Sequence, residues 1–292
     1  MITLKLDGGL GNQLFQYAFI KSLSNILGLP FRLDVSSFRQ RRGGRSLMLN
    51  HLNIAPEIFY EGRSVSRHLT VLRLLRMFGV NRISGMFIEN GIHYQPEIFK
   101  RPASFYYGYF QCFSYFNDIY HQLVREIRYD GAASNEYLRK IRSTESVAVH
   151  IRKGDYQADR KAAGMMAHIS PEYYSGAAKH IARKLSIEPI FYLFSDDLQW
   201  TMKNILPSLE QVGQCVLIDN TSEPLSTLLD FECMKECRHQ VIANSTYSWW
   251  AAYLNTYDKK QVVAPQVWYR RQQIDYDHFY PVGWTLLPNT FQ

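Results

Sequence analysis

The sequence predicts an α/β protein made of two Rossmann-like halves, each built on an open parallel sheet. The chain opens as strand, turn, helix, strand, and the same alternation returns after Ser146. Its 292 residues are about twice the length of a common single domain, which leaves room for two cores.

Taken in order, Ile2 to Leu6 is a β-prone run and Asp7-Gly8-Gly9-Leu10-Gly11 a glycine turn, with Asn12 placed to cap a helix. Phe15, Phe19, Leu23 and Ile26 then repeat at helical spacing until Gly28, a suitable C-cap, and Phe31 to Asp34 reads as the next strand. Arg39 to Arg82 is basic, and Met86 to Phe116 is rich in aromatics, including Phe105 to Phe110. Such a run reads first as core; aromatic faces also serve as platforms for sugar rings. From Ser146 the pattern is clearer. Val147 to Ile151 and Ile190 to Phe194 are buried-type strands flanking a helix from Pro171 to Leu185. Val216 to Ile218 and Gln240 to Ala243 are further strands, with a helix from about Leu225 to Cys237 between them, and Thr246 to Asn255 is the helix after the last. Val262 to Pro265 is expected as an edge strand. The halves meet near residues 130 to 145, giving domains of 1–140 and 141–292, with ligands expected in a cleft faced by the strands' carboxyl ends.

Composition sets the limits. Hydrophobic residues are 46% and charged residues 20%, which excludes disordered and collagenous classes. Four cysteines without zinc-ribbon spacing are expected to be buried, reduced thiols, with no structural metal. No long apolar run or signal peptide is evident, so the chain reads as cytoplasmic. The net charge of +7 lies wholly in the first half, and nine arginines fall between Arg39 and Arg82 against Glu57 and Glu61 alone. That stretch is compatible with phosphates or with peripheral contact at an anionic inner-membrane surface. Within it, Arg67 to Arg82 is helix-like without a clean apolar face. Nucleic acid is not the expected partner, because no nucleic-acid-binding signature accompanies the charge.

Two strand ends concentrate polar chemistry. His150-Ile151-Arg152-Lys153-Gly154-Asp155-Tyr156 follows one buried strand, and a guanidinium there can bind a diphosphate bidentately without losing its proton. Its alternative is a surface ion pair of Arg152 with Asp155. Asn244-Ser245-Thr246-Tyr247-Ser248-Trp249-Trp250 joins another strand to a helix whose first amides suit an anion. Plain capping explains the same residue types equally well, and Trp249 and Trp250 read as core. The N-terminal turn is neither a dinucleotide fingerprint nor a Walker loop, so NAD enzymes and P-loop nucleotidases are disfavoured. Ser195-Asp196-Asp197 offers carboxylates at a third strand end, where a base or ribose could be read. Asp275-Tyr276-Asp277 supplies too few oxygens for a hard cation.

These segments together resemble the alpha-1,2-fucosyltransferase family, glycosyltransferase family 11, of the bacterial type. The resemblance rests on Gly8 to Tyr17, Gly108-Tyr109-Phe110-Gln111, His150-x-Arg152-x-Gly154-Asp155-Tyr156, Phe194 to Asp197, and Ala243 to Trp250, in family order. Cys112-Phe113-Ser114 and Tyr247 depart from the usual family pattern. The resemblance implies the two-lobed type B glycosyltransferase fold, with an acceptor-side lobe at 1–140 and a GDP-fucose-binding lobe at 141–292. It further implies no cofactor or metal, GDP-L-fucose as donor, and a β-galactoside acceptor such as a lactose-type or lipid-linked oligosaccharide. Arg152 would then bind the β-phosphate, with His150 and Asp196 nearer the guanosine. Asn244, Ser245 and Thr246 would hold the diphosphate, and Gly9, Gly11 and Asn12 would close over it. The donor is β-linked and the product α-linked, so a single displacement suffices. Asp155 either takes the acceptor proton or only orients the arginine. The alternatives are a transferase with another GDP-sugar or linkage, and a glycan-binding module without turnover.

Overall fold

The structure is a computed structural model that describes residues 1–39, 45–62, 82–83, 85–153, 164–270 and 274–290. By contacts the chain divides into Met1–Arg128 with Ile274–Pro281, and Tyr129–Gln273 with Val282–Gln292. The first unit contains β1 (Ile2–Lys5), α1 (Leu10–Leu27), β2 (Phe31–Asp34), β3 (Phe59–Tyr60), β4 (Arg82–Ile83), β5 (Met86–Ile88), α2 (Glu97–Lys100), β6 (Phe105–Tyr107) and α3 (Tyr120–Glu126). The second contains α4 (Glu136–Arg142), β7 (Ser146–Ile151), α5 (Pro171–Ala182), β8 (Ile190–Ser195), α6 (Leu198–Asn204), α7 (Leu206–Leu209), β9 (Cys215–Leu217), α8 (Ser226–Glu236), β10 (His239–Val241), α9 (Thr246–Leu254) and β11 (Val262–Pro265). The chain then visits the first unit as α10 (Tyr276–Phe279) and returns as β12 (Thr285–Leu287). Both units are α/β with parallel-dominated sheets, the fold class expected. The sequence places the change of half at 140/141, whereas the contact division falls at Arg128/Tyr129, with α4 already in the second unit.

The first sheet runs β3-β2-β1-β6-β5-β4, parallel apart from the β4–β5 pair. The helix after β1 begins at Leu10 rather than beyond Asn12: Gly9 is its N-cap, in an extended conformation, and no side chain caps it. Gly28 ends it in the left-handed region, at φ 63°, as a glycine C-cap should. Burial extends almost all round its first three turns, including Gln13 and Gln16. Both glutamines are satisfied there. Gln13 donates to the carbonyls of Gly8 and Ser46 and accepts from the Met48 amide; Gln16 accepts from the Asp7 amide and donates to the Gly108 carbonyl at 2.8 Å. The glycine turn and the loop after β6 are thus tied together by a buried amide.

The second sheet is parallel throughout, in the order β12-β11-β10-β7-β8-β9. β11 is interior rather than an edge, because β12 pairs along it from Thr285 to Leu287. Val147, Val149, Ile151, Phe191 and Leu193 pack with Tyr173, Ala177 and Ile181 of α5 into one core. Trp249 and Trp250 are fully buried, in agreement with the core reading of α9. All four cysteines are free thiols. No described helix is long and apolar enough to cross a membrane. The helix-like basic stretch of the sequence lies outside the described residues from 67 to 81.

One buried carboxylate gives a stability prediction. Burial pushes Asp230 of α8 up to about 6 from its ordinary 3.8, helped by Asp219 and opposed by the hydrogen bond it accepts from Asn220 at 2.7 Å. The folded state therefore holds this proton more tightly than the unfolded chain, and stability falls as pH rises from below 3.8 through 6. Asp230→Asn keeps the acceptor for Asn220 and removes the buried charge. We expect it to be more stable than wild type by about 1–3 kcal/mol at neutral pH, with the gain vanishing below about pH 4. Urea unfolding at the two pH values checks this; equal stability of the two proteins at both would refute it.

Candidate functional site

Strand order fixes where a ligand belongs. In the second sheet the chain runs outward from β7 to β8 and β9, then crosses to the other side of β7 for β10, β11 and β12. The reversal lies between β7 and β10, and in open α/β sheets ligands bind beyond the carboxyl ends at such a point. Immediately past these two strand ends stand Arg152-Lys153 and Asn244. Both segments line a pocket of about 170 Å³, together with His168, Trp200 and Arg270.

Arg152 is held rather than loose. Its Nε lies 3.2 Å from Asp196 Oδ2, and the other oxygen of that carboxylate accepts from the Lys153 amide at 2.8 Å. Asp196 follows β8, so β7 and β8, paired over their full length from Ser146–Ile190 to Ile151–Ser195, bring the two groups together. The next residue acts differently, since Asp197 caps α6 by accepting from the Trp200 amide at 2.9 Å. This turn of helix brings Trp200 under Lys153, whose Nζ sits 4.6 Å from the indole centroid, a cation–π contact.

His150 is buried, 4% exposed, and shares a 2.8 Å hydrogen bond through Nδ1 with Ser248 Oγ of α9. Burial first, and the Arg152 charge second, hold its pKa well below the usual imidazole range, against the opposing effect of Asp196. The ring is therefore neutral and braces the strand end from inside. It is not among the residues lining the pocket.

Asn244 is buried and donates its amide to the carbonyls of Ala167, at 2.7 Å, and Trp268, at 3.2 Å. Its amide hydrogens thus fix the pocket's walls. Ser245 is the N-cap of α9 in extended conformation, but its side chain makes no capping bond, and Thr246 is the first helical residue. Asp155 lies outside the described residues. Among the described residues, no three His, Cys, Asp or Glu side chains are placed to hold a metal ion.

The first sheet reverses between β1 and β6, and the corresponding carboxyl edge carries Asp7-Gly8-Gly9 and Gly108-Tyr109. Gly9 caps α1 and Gly11 is buried within it, while Asn12 Oδ1 accepts from Gln111 Nε2 at 2.9 Å. Two motifs separated by nearly a hundred residues are therefore one local structure. Gly9, Gly11 and Asn12 belong to the first unit, and Arg152, His150, Asp196, Asn244, Ser245 and Thr246 to the second.

Trp200, His168 and Arg270 are among the pocket residues that escape a reading of the sequence. Trp200 could have been found as the third residue of a helix capped by Asp197. His168 and Arg270 come from loops with no motif, joined by the isolated bridge of Met166 with Tyr269 and by the Arg270 amide, which donates to the Met165 carbonyl.

Comparison with known proteins gives the family. The model of Glycosyl transferase family 11 matches residues 94–287. An O-antigen biosynthesis glycosyltransferase, WbnK, from Escherichia coli is 31% identical, over 90% of this chain and 93% of that protein. An alpha-1,2-colitosyltransferase from the same species is 27% identical, over 94% of each. Among solved structures, a mutant of Arabidopsis thaliana FUT1 in complex with GDP aligns with a TM-score of 0.50 at 10% identity, over 89% of this chain and 69% of that one, a likeness of fold. With the motifs, the two parallel-dominated α/β units and this match to most of the chain in hand, the protein belongs to glycosyl transferase family 11.

Proposed function

We propose that the protein transfers L-fucose from GDP-β-L-fucose to the 2-hydroxyl of a terminal β-galactoside, inverting the anomeric carbon to form an α-1,2 linkage. The observation that carries this reading is Arg152 at the β7–β10 reversal, clamped by Asp196 beside a pocket of about 170 Å³. The name of the alpha-1,2-colitosyltransferase supports the linkage, and the WbnK likeness supports a place in O-antigen biosynthesis.

In this scheme Arg152 binds the β-phosphate and offsets the charge that develops on the departing GDP, the largest contribution expected of the protein in such a displacement. Asp196 holds that guanidinium, and Asp196 and the neutral His150 lie on the nucleoside side. Ser245 and Thr246 offer hydroxyls and the first amides of α9 to the diphosphate, with Asn244 fixing the wall behind. No enzyme nucleophile is needed: the acceptor oxygen forms the new bond as the bond to diphosphate breaks. Asp155 is the group assigned the acceptor proton. The donor requires no metal in this scheme, and the enzyme works in the cytoplasm, with its basic N-terminal half available to an anionic membrane surface that carries lipid-linked acceptors.

A second reading has one specific support. The relative named for alpha-1,2-colitosyl transfer favours the same linkage with a colitosyl donor. Assays of both donors against lactose, N-acetyllactosamine and the type 1 disaccharide, with product linkage determined, decide between them. Transfer from GDP-fucose to the galactose 2-position is the expected result. No turnover with either donor, together with no binding of GDP by calorimetry, would leave a glycan-binding module instead.

A further inference from the structure

The pocket beyond β7 and β10 is lined by Arg152, Lys153, His168 and Arg270, and by no aspartate or glutamate among the described residues. Two of these cations have a partner beside them. Arg152 bonds to Asp196, and the Lys153 ammonium sits over the Trp200 indole. Arg270 is exposed and has no ion pair and no aromatic partner among the described residues. An exposed arginine is ordinary by itself; the backbone that carries this one is not. Residues 165–167 and 268–270 form one rung of an antiparallel ladder. Met166 opposes Tyr269, the Ala167 amide donates to the Trp268 carbonyl at 3.0 Å, and the Arg270 amide donates to the Met165 carbonyl at 2.8 Å. A two-stranded pairing this short is marginal in water without further support.

Two buried asparagines supply that support. Asn244, 2% exposed at the end of β10, donates to the carbonyls of both Ala167 and Trp268. Asn289, 7% exposed and just past β12, donates to the His168 carbonyl at 3.2 Å and the Val267 carbonyl at 2.6 Å. Its side-chain oxygen accepts from the Val267 amide at 2.9 Å, and its own carbonyl accepts from the Ser170 amide at 2.9 Å. Buried amides satisfied in this way specify one arrangement, because breaking any of these bonds leaves a polar group away from water. Arg270 is thus carried on a wall fixed by segments far apart in sequence. The clasp also has a chemical consequence. A primary amide has two hydrogens, and Asn244 uses both on carbonyls, so its side chain has no donor left for a phosphate. The groups that can meet an anion beside Arg152 are therefore the cations of the wall, and Arg270 is the one whose planar fork matches phosphate oxygens in pairs.

We propose that Arg270 is a second guanidinium for the donor's diphosphate, binding its oxygens from the wall clasped by Asn244 and Asn289 while Arg152 binds them from the end of β7. This rests on the glycosyl-transfer reading, to which it adds a phosphate-binding residue that no motif marks. Binding can be tested apart from turnover with the full chain, using pyrophosphate and GDP as calorimetric probes. Arg270→Ala is expected to weaken both by about tenfold or more, and by the same factor. Its thermal unfolding should match that of wild type, because the side chain is exposed. Arg270→Lys is expected to recover part of each loss, since it keeps the charge without the paired geometry. Wild-type affinity for both probes in Arg270→Ala, or no pyrophosphate binding by the wild-type protein, would overturn the proposal. A loss confined to GDP would overturn it too, by placing Arg270 on the nucleoside. The transfer reading fails separately: a protein that holds pyrophosphate through Arg270 but turns over no GDP-sugar would sink that reading and leave the two-guanidinium pocket standing.

Discussion

Replacing Arg152 with alanine is expected to lower kcat/KM by roughly 100-fold or more in a protein that still folds. The size follows from where the charge develops. As the anomeric bond breaks, electrons move onto the β-phosphate, and a guanidinium fixed beforehand strengthens its interaction at that moment without reorganising. Arg152 is fixed in this sense, by the 3.2 Å contact to Asp196 and by its place directly after β7. Its side chain is 21% exposed, so thermal unfolding of the variant is measured alongside to separate a cost to folding from the loss of turnover. Lysine should recover only part of the loss, since an ammonium cannot form the two parallel bonds that a guanidinium makes to phosphate. Near-normal turnover by the purified, folded alanine variant contradicts the assignment.

Asp196→Ala is the second large effect expected, a fall in kcat/KM of about 10- to 100-fold. Its carboxylate holds both Arg152 Nε and the Lys153 amide, so removing it frees the arginine's direction without removing the charge. The double variant separates positioning from direct nucleoside contact. If Asp196 acts through Arg152, the Arg152→Ala and Asp196→Ala losses are far from additive, and the pair is little worse than Arg152→Ala alone. Multiplying losses, with GDP affinity falling in step, would assign Asp196 to the nucleoside independently.

How much of this could be read from residues alone differs by element. β7 and β8 are legible because continuous apolar runs ending in polar residues have few other readings, and Arg152 is legible because it follows such a run. β12 is not: Thr285–Leu287 is short and half exposed, so β11 looks like an edge although it is interior. The start of α1 is misread because Gly9, an N-cap with no side chain, leaves Asn12, the first polar residue after the glycines, resembling a cap. Asp196 and Asp197 look interchangeable in sequence, yet one clamps Arg152 and the other caps α6. The division of labour depends on strand register, which no local pattern encodes. The walls from His168 and Arg270, and the return of Ile274–Pro281 to the first unit, depend on contacts over a hundred residues apart or across an unmarked crossing.

Most depends on a diphosphate binding past the β7 and β10 strand ends of the second unit. A crystal structure of the protein with GDP measures this directly. The β-phosphate oxygens are expected at about 3 Å from the Arg152 guanidinium and within reach of the first amides of α9. Well-defined nucleotide density elsewhere, with Arg152 still bonded only to protein, would contradict it.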